Sequence, residues 1–157
     1  MEENDFIVSK TDTKGRITYC NKIFMNMAEY GEEELLGQPH NIIRHPDMPR
    51  VVFKYLWDEI SQKREVFAFV VNKTKNNNHY WVFTHVTPSF DDRGNIIGYY
   101  SVRRKPNPKA LEIIKPLYKA MLDAEAKGGM DASFKLLVDV LTDKGMEYDE
   151  LIIALQE

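Results

Sequence analysis

Residues 66–104 read VFAFVVNKTKNNNHYWVFTHVTPSFDDRGNIIGYYSVRR: three runs rich in β-branched and aromatic residues, separated by two polar clusters. Val66 to Asn72, Tyr80 to Pro88 and Asn95 to Arg104 have the composition of strands. Lys75-Asn76-Asn77-Asn78 and Asp91-Asp92-Arg93-Gly94 have that of hairpin turns, so the strands run antiparallel in succession. Upstream, Phe6-Ile7-Val8 and Arg16-Ile17-Thr18-Tyr19 flank the tight turn Asp12-Thr13-Lys14-Gly15 and predict a further hairpin. Between the two sets lie short helices. Asn21 caps one in which Ile23, Phe24, Met27 and Ala28 share a face. Glu32-Glu33-Glu34 suits the positive start of a second, ended by Gly37. From Arg50 to Gln62, Val52, Phe53, Leu56, Trp57 and Ile60 recur at helical spacing. Two strands, several short helices and three strands predict an α+β fold, an antiparallel sheet with helices on one face.

The bulk numbers narrow the class further. A chain of 157 residues holds one ordinary domain with a short appendage, and 43% hydrophobic with 29% charged residues is the composition of a soluble globular protein. The lone cysteine, Cys20, excludes an intrachain disulfide and a Cys-rich zinc cluster, which fits a reducing compartment. A net charge of −3 gives no global attraction for nucleic acid. No apolar run approaches the roughly 20 residues of a membrane span, and MEENDFIVSK has no signal core. The expectation is a cytoplasmic protein without nucleic acid or direct membrane insertion. After Lys105-Pro106-Asn107-Pro108 a helical stripe of Leu111, Ile114, Leu117, Tyr118, Met121 and Leu122 runs to Gly128-Gly129, and Pro116 is expected to kink it. Asp131 to Lys144 and Asp149 to Gln156 read as two more helices around Gly145. The chain thus divides into a domain at 1–105, a flanking helix at 106–128 for output or dimer contact, and a helical hairpin at 129–157.

The segment Gly37-Gln38-Pro39-His40-Asn41-Ile42-Ile43-Arg44-His45-Pro46-Asp47-Met48-Pro49 stands apart. Three prolines stiffen a loop that carries His40, Asn41, Arg44, His45 and Asp47, and preorganised polar groups suit a binding site. This segment resembles the PAS domain of bacterial aerotaxis, or energy-taxis, receptors. The resemblance continues through Thr11-Asp12, Gly15, Ile17-Thr18-Tyr19, Asn21, Trp57, His79-Tyr80-Trp81-Val82, Gly98-Tyr99, Ser101, Arg103 and Pro116-Leu117-Tyr118-Lys119-Ala120. It implies a five-stranded antiparallel sheet and helices enclosing a cleft for FAD. It also implies that Arg44, His45, Asp47 and Trp57 retain the flavin, with Asn21, Asn41 and Asn72 beside them. Phe67 stands where the family has a tryptophan, which alters the ring contact there. Physically, Trp57 offers an aromatic wall, Arg44 a phosphate partner, and Asn72 a group that donates to and accepts from an amide-like ring edge.

Each of these residues also has a plainer role. Arg44, His45 and Asp47 could form a salt-bridge knot, Trp57 could be core, Asn21 a helix cap and Asn72 the start of a turn. The chain is similar to the soluble PAS-only half of a bipartite energy-taxis system. That implies a membrane-anchored chemotaxis transducer as partner, a homodimer, and a non-enzymatic redox sensor. No nucleophile, phosphate loop or paired-carboxylate motif is present. Nor is there an Asn-Cys-Arg stretch of the kind used in light-driven adduct chemistry. Two alternatives stay open: a haem gas sensor with His45 or His40 as axial ligand, and a cofactor-free interaction module whose pocket is filled by side chains, with Phe67 in place of a cofactor wall.

Overall fold

Ile7–Thr11 (β1) and Ile17–Cys20 (β2) pair antiparallel through a turn in which Asp12 Oδ1 accepts from the amides of Lys14 and Arg16. The computed structural model describes residues 1–157. Val66–Lys73 (β3), His79–Phe90 (β4) and Ile96–Arg104 (β5) form the expected meander, and β1 pairs with β5. The sheet order is therefore β2-β1-β5-β4-β3, all antiparallel. β2 and β3 occupy opposite edges, so the connecting chain must cross one whole face. Lys22–Ala28 (α1), Glu32–Leu35 (α2), a 3-10 turn at His40–Ile43 and Arg50–Ser61 (α3) make that crossing. Phe24, Leu35, Ile43, Met48 and Val52 are buried along it. The crossing lies over the sheet like a strap, and the space beneath it is the cavity described below.

The C-terminal helices begin on the opposite face and reach round to α3. Pro108–Lys144 (α4) buries Ala110, Ile114, Tyr118 and Met121, and Tyr118 donates to the carbonyl of Phe69 while its ring meets Trp81 at 5.8 Å. Tyr148–Gln156 (α5) packs against β3 and sets Tyr148 against Tyr55 of α3 at 4.6 Å. Helical dihedrals persist through Pro116, and the one non-helical residue inside α4 is Gly129, with φ 72°. A first-turn-like tolerance does not apply to Pro116, so the α4 surface packed on the sheet must offset the lost backbone bond. At Gly129 only glycine adopts the required dihedral without strain. No helix is long and apolar enough to cross a membrane.

Candidate functional site

A cavity of about 570 Å³ opens between the strap and the sheet, within the size range of small-molecule and cofactor sites. Strand alternation builds its floor: Val70 and Asn72 of β3, Thr84 and Val86 of β4, and Tyr99, Ser101 and Arg103 of β5 all point to this face. Phe53, Leu56, Trp57 and Ile60 of α3 form the roof, while His40, Asn41, Ile43 and Arg44 close one side. Lys14, Arg50, Lys54 and Met130 also line it, with Arg50 paired to Glu125 and Lys54 to Asp58.

The floor is polar in a specific way. Arg103 is only 2% exposed, with no carboxylate in salt-bridge reach. Its Nη2 donates to Ser9 Oγ at 2.6 Å and its guanidinium lies over the Phe24 ring at 4.6 Å. His40 Nε2 is 3.1 Å from Ser9 Oγ and 3.4 Å from Arg103 Nη1, a pattern in which Nε2 accepts and the ring is neutral. Burial first, and the Arg103 charge second, push the His40 pKa down to about 3. Burial also lowers Arg103 to about 10, leaving it a cation at neutral pH. Three buried polar atoms in this lining have no hydrogen-bond partner in the protein: Asn72 Nδ2, Thr84 Oγ1 and Arg103 Nε. Each unmatched group costs about 1–3 kcal/mol, and all three belong to residues of the cavity floor.

Residues 4–103 match the family model described as PAS domain. The chain belongs to the PAS family. It is 36% identical over 121 residues to the aerotaxis receptor of Escherichia coli (strain K12), covering 77% of this chain and 24% of that protein. It is 24% identical over 104 residues to a nitrogen fixation regulatory protein of Klebsiella pneumoniae, covering 66% of this chain and 21% of that protein. The chain thus spans roughly a quarter of the length of these curated relatives. Among solved structures, the light state of the blue-light photoreceptor Aureochrome1 LOV aligns with TM-score 0.60 at 22% identity, covering 72% of this chain and 89% of that one. The PAS domain of the fruit-fly ELK potassium channel aligns with TM-score 0.57 at 13% identity, covering 63% and 85%. At these identities the structural likenesses establish the PAS fold alone.

Four of the eight residues singled out from the PAS sequence line the cavity: Asn41, Arg44, Trp57 and Asn72. Arg44 lays its guanidinium over Phe53 at 4.2 Å, and its backbone bridges to Asn72. Trp57 is not core: it is 43% exposed at the rim, against Tyr99 at 5.3 Å. The other four lie elsewhere. His45 and Asp47 sit on the far side of the loop, where His45 Nδ1 accepts from the Asp47 amide and the Asp47 side chain is 73% exposed. The 3-10 turn explains the split, since it points His40, Asn41 and Arg44 inward and Pro46 then redirects the chain. Asn21 has its side chain engaged in fold contacts: Oδ1 accepts from the amides of Phe24 and Val8, and Nδ2 donates to the Phe6 carbonyl. Phe67 is on the other face of the sheet, stacked on His85 at 4.2 Å, and therefore cannot wall or fill the cavity as expected.

His45 does line a second groove of about 460 Å³, with Met48, Leu122 and Glu125. Asn41, Arg44 and Arg50 border both spaces, so the groove continues the cavity outward. Sequence reading missed Arg103, Ser9 and Thr84 as site residues. The signal was available for Arg103: it follows Tyr99 and Ser101 at period two and shares their face.

Proposed function

We propose that this PAS chain is a redox or energy-state sensor that holds FAD in the cavity and signals to a membrane-anchored chemotaxis transducer. The observation that carries the reading is the cavity itself, with the trio Asn72, Thr84 and Arg103 on its floor under an apolar roof. A flat ring system fits between apolar walls, and its polar edge would satisfy that trio. The likeness to the aerotaxis receptor supports the biological setting, and the likeness to a light-oxygen-voltage domain studied with a flavin analogue supports the ligand class (19% identity, TM-score 0.59). FAD is favoured over a mononucleotide because the groove beyond Arg44 provides room and cationic partners for a second phosphate and its nucleoside.

A bound flavin would supply reversible electron storage, with changes of charge and protonation at the polar ring edge. Asn72 and Thr84 would orient that edge, and Arg103 would balance negative charge arising there. Arg103 lies on β5, which leads through Lys105-Pro106-Asn107 directly into α4. A shift of β5 is therefore passed to the helix on the outer face. The dimer structure of the photoreceptor Vivid supports a homodimer as the signalling form (20% identity, TM-score 0.56). We place the protein in the cytoplasm, and assign it no catalysis.

Haem is the weaker reading: His40 is the only histidine in the cavity lining, and its Nε2 is held by Ser9 and Arg103. The cofactor-free module is weakened by the open cavity and by Phe67 lying outside it. Titration of the ligand-free chain with FAD and FMN tests the proposal. FAD should bind more tightly than FMN, and Arg44→Ala and Trp57→Ala should each weaken FAD by about tenfold or more. Equal affinity for the two flavins would overturn FAD, and unchanged binding in both variants would overturn the site.

A further inference from the structure

Glu125 is a buried carboxylate on α4, its side chain 5% exposed, one turn before the break at Gly129. It supplies something α3 lacks. The N-cap of α3 is Pro49, which has no side-chain acceptor for the free amides of the first turn. Glu125 Oε1 accepts from the Val51 amide at 3.1 Å and Oε2 from the Arg50 amide at 3.2 Å. Ser133, beyond the break, donates its hydroxyl to Oε1 at 3.0 Å, and Arg50 Nε lies 3.6 Å from Oε2. A single carboxylate thus ties both halves of α4 to the helix that roofs the cavity.

The same carboxylate is part of the second groove, facing Arg44, His45 and Arg50. An anionic group entering the groove would be drawn by Arg44 and Arg50 and repelled by Glu125. It would also be drawn by the α3 N-terminus that Glu125 now occupies. Met130, just past Gly129, borders the cavity itself, so the segment held by the carboxylate also lies against the ligand space.

We propose that Glu125 is a releasable clasp: the anionic tail of the cavity ligand competes with it for Arg50 and the α3 N-terminus, and frees α4. The proposal rests on the flavin reading for the identity of the ligand. Linkage makes the competition reciprocal: by the factor by which the tail weakens the clasp, the intact clasp weakens tail binding, so removing the clasp charge strengthens it.

The test uses Glu125→Gln in the full chain, which keeps the side chain's shape and removes its charge, and compares riboflavin, which has no phosphate, with FAD. Glu125→Gln should raise FAD affinity by about fivefold or more and leave riboflavin unchanged. In the wild-type chain, FAD should speed hydrogen exchange in α4 beyond residue 121, and riboflavin should not. Ligand-free Glu125→Gln should show the same faster exchange. Ser133→Ala, which leaves α3 capped, should show it only in residues 130–144 and provides a second route if Glu125→Gln does not fold. Equal effects on riboflavin and FAD, or weaker FAD binding in Glu125→Gln, would overturn the competition. Unchanged exchange in both ligand-free variants would overturn the clasp, whatever the flavins do. Failure of every flavin to bind the wild type would overturn the ligand reading instead, with the exchange of the ligand-free variants still deciding whether the clasp exists.

Discussion

Replacing Asn21 with alanine separates a fold role from a cofactor role. The Asn21 amide joins three segments: it caps α1 through the Phe24 amide at 3.0 Å, receives the Val8 amide at 3.1 Å, and donates to the Phe6 carbonyl at 2.8 Å. Loss of the cap costs about 1 kcal/mol. The part-buried Val8 amide, left without its acceptor, adds about 1 kcal/mol or more. A total near 2–3 kcal/mol lowers the melting temperature of a chain this size by roughly 5–10 °C. The assay is thermal unfolding of the ligand-free protein by circular dichroism, with FAD stoichiometry measured separately well below the transition. Asn21→Asp keeps the acceptor oxygens and should recover most of the loss. Flavin content per folded molecule should be unchanged in both variants. A normal melting temperature together with lost flavin would refute the reasoning and return Asn21 to the binding site.

Two further outcomes follow from the polar floor. His40 titrates near 6.5 when unfolded and is held to about 3 when folded, so the unfolded chain binds the extra proton between those values. The stability it contributes is complete above pH 6.5 and is lost as pH falls toward 3, with a slope approaching about 1.4 kcal/mol per pH unit. Urea midpoints at pH 7, 6 and 5 should show that slope in the wild type and a flatter one in His40→Gln; equal slopes would remove the assignment. Asn72→Leu replaces an unmatched buried amide with an apolar group, so the ligand-free protein should be at least as stable as wild type while its flavin affinity falls about tenfold or more. Lower stability with unaltered binding would contradict the role given to Asn72.

The strands were legible because alternation and turn chemistry agree along residues 66–104; β3 and β5 start or end within one residue of the expected positions. The pairing of β1 with β5 is a long-range choice that periodicity does not encode, and it is seen first in the structure. The site was half legible. Arg44, Asn41, Trp57 and Asn72 reach the cavity, whereas His45 and Asp47 share their loop but not their direction. Spacing in an irregular, proline-rich segment does not say which way a side chain points. Phe67 differs from Ala68 by one position on β3, and one position exchanges the faces of the sheet. Arg103 was obscured by its charge, since a cationic strand end reads as solvent-facing until Ser9 and His40 are seen beside it. Glu125 caps a helix about 75 residues away and Ser133 reaches Glu125 across the break in α4, contacts that no local pattern announces.

The most direct measurement is the absorption spectrum of the freshly purified protein, with any released chromophore identified by mass. The account predicts the two near-ultraviolet and blue bands of an oxidised flavin, bleached by a reductant and restored by air, and the mass of FAD in the supernatant. A Soret band, or a colourless protein that stays colourless after incubation with FAD, would contradict it.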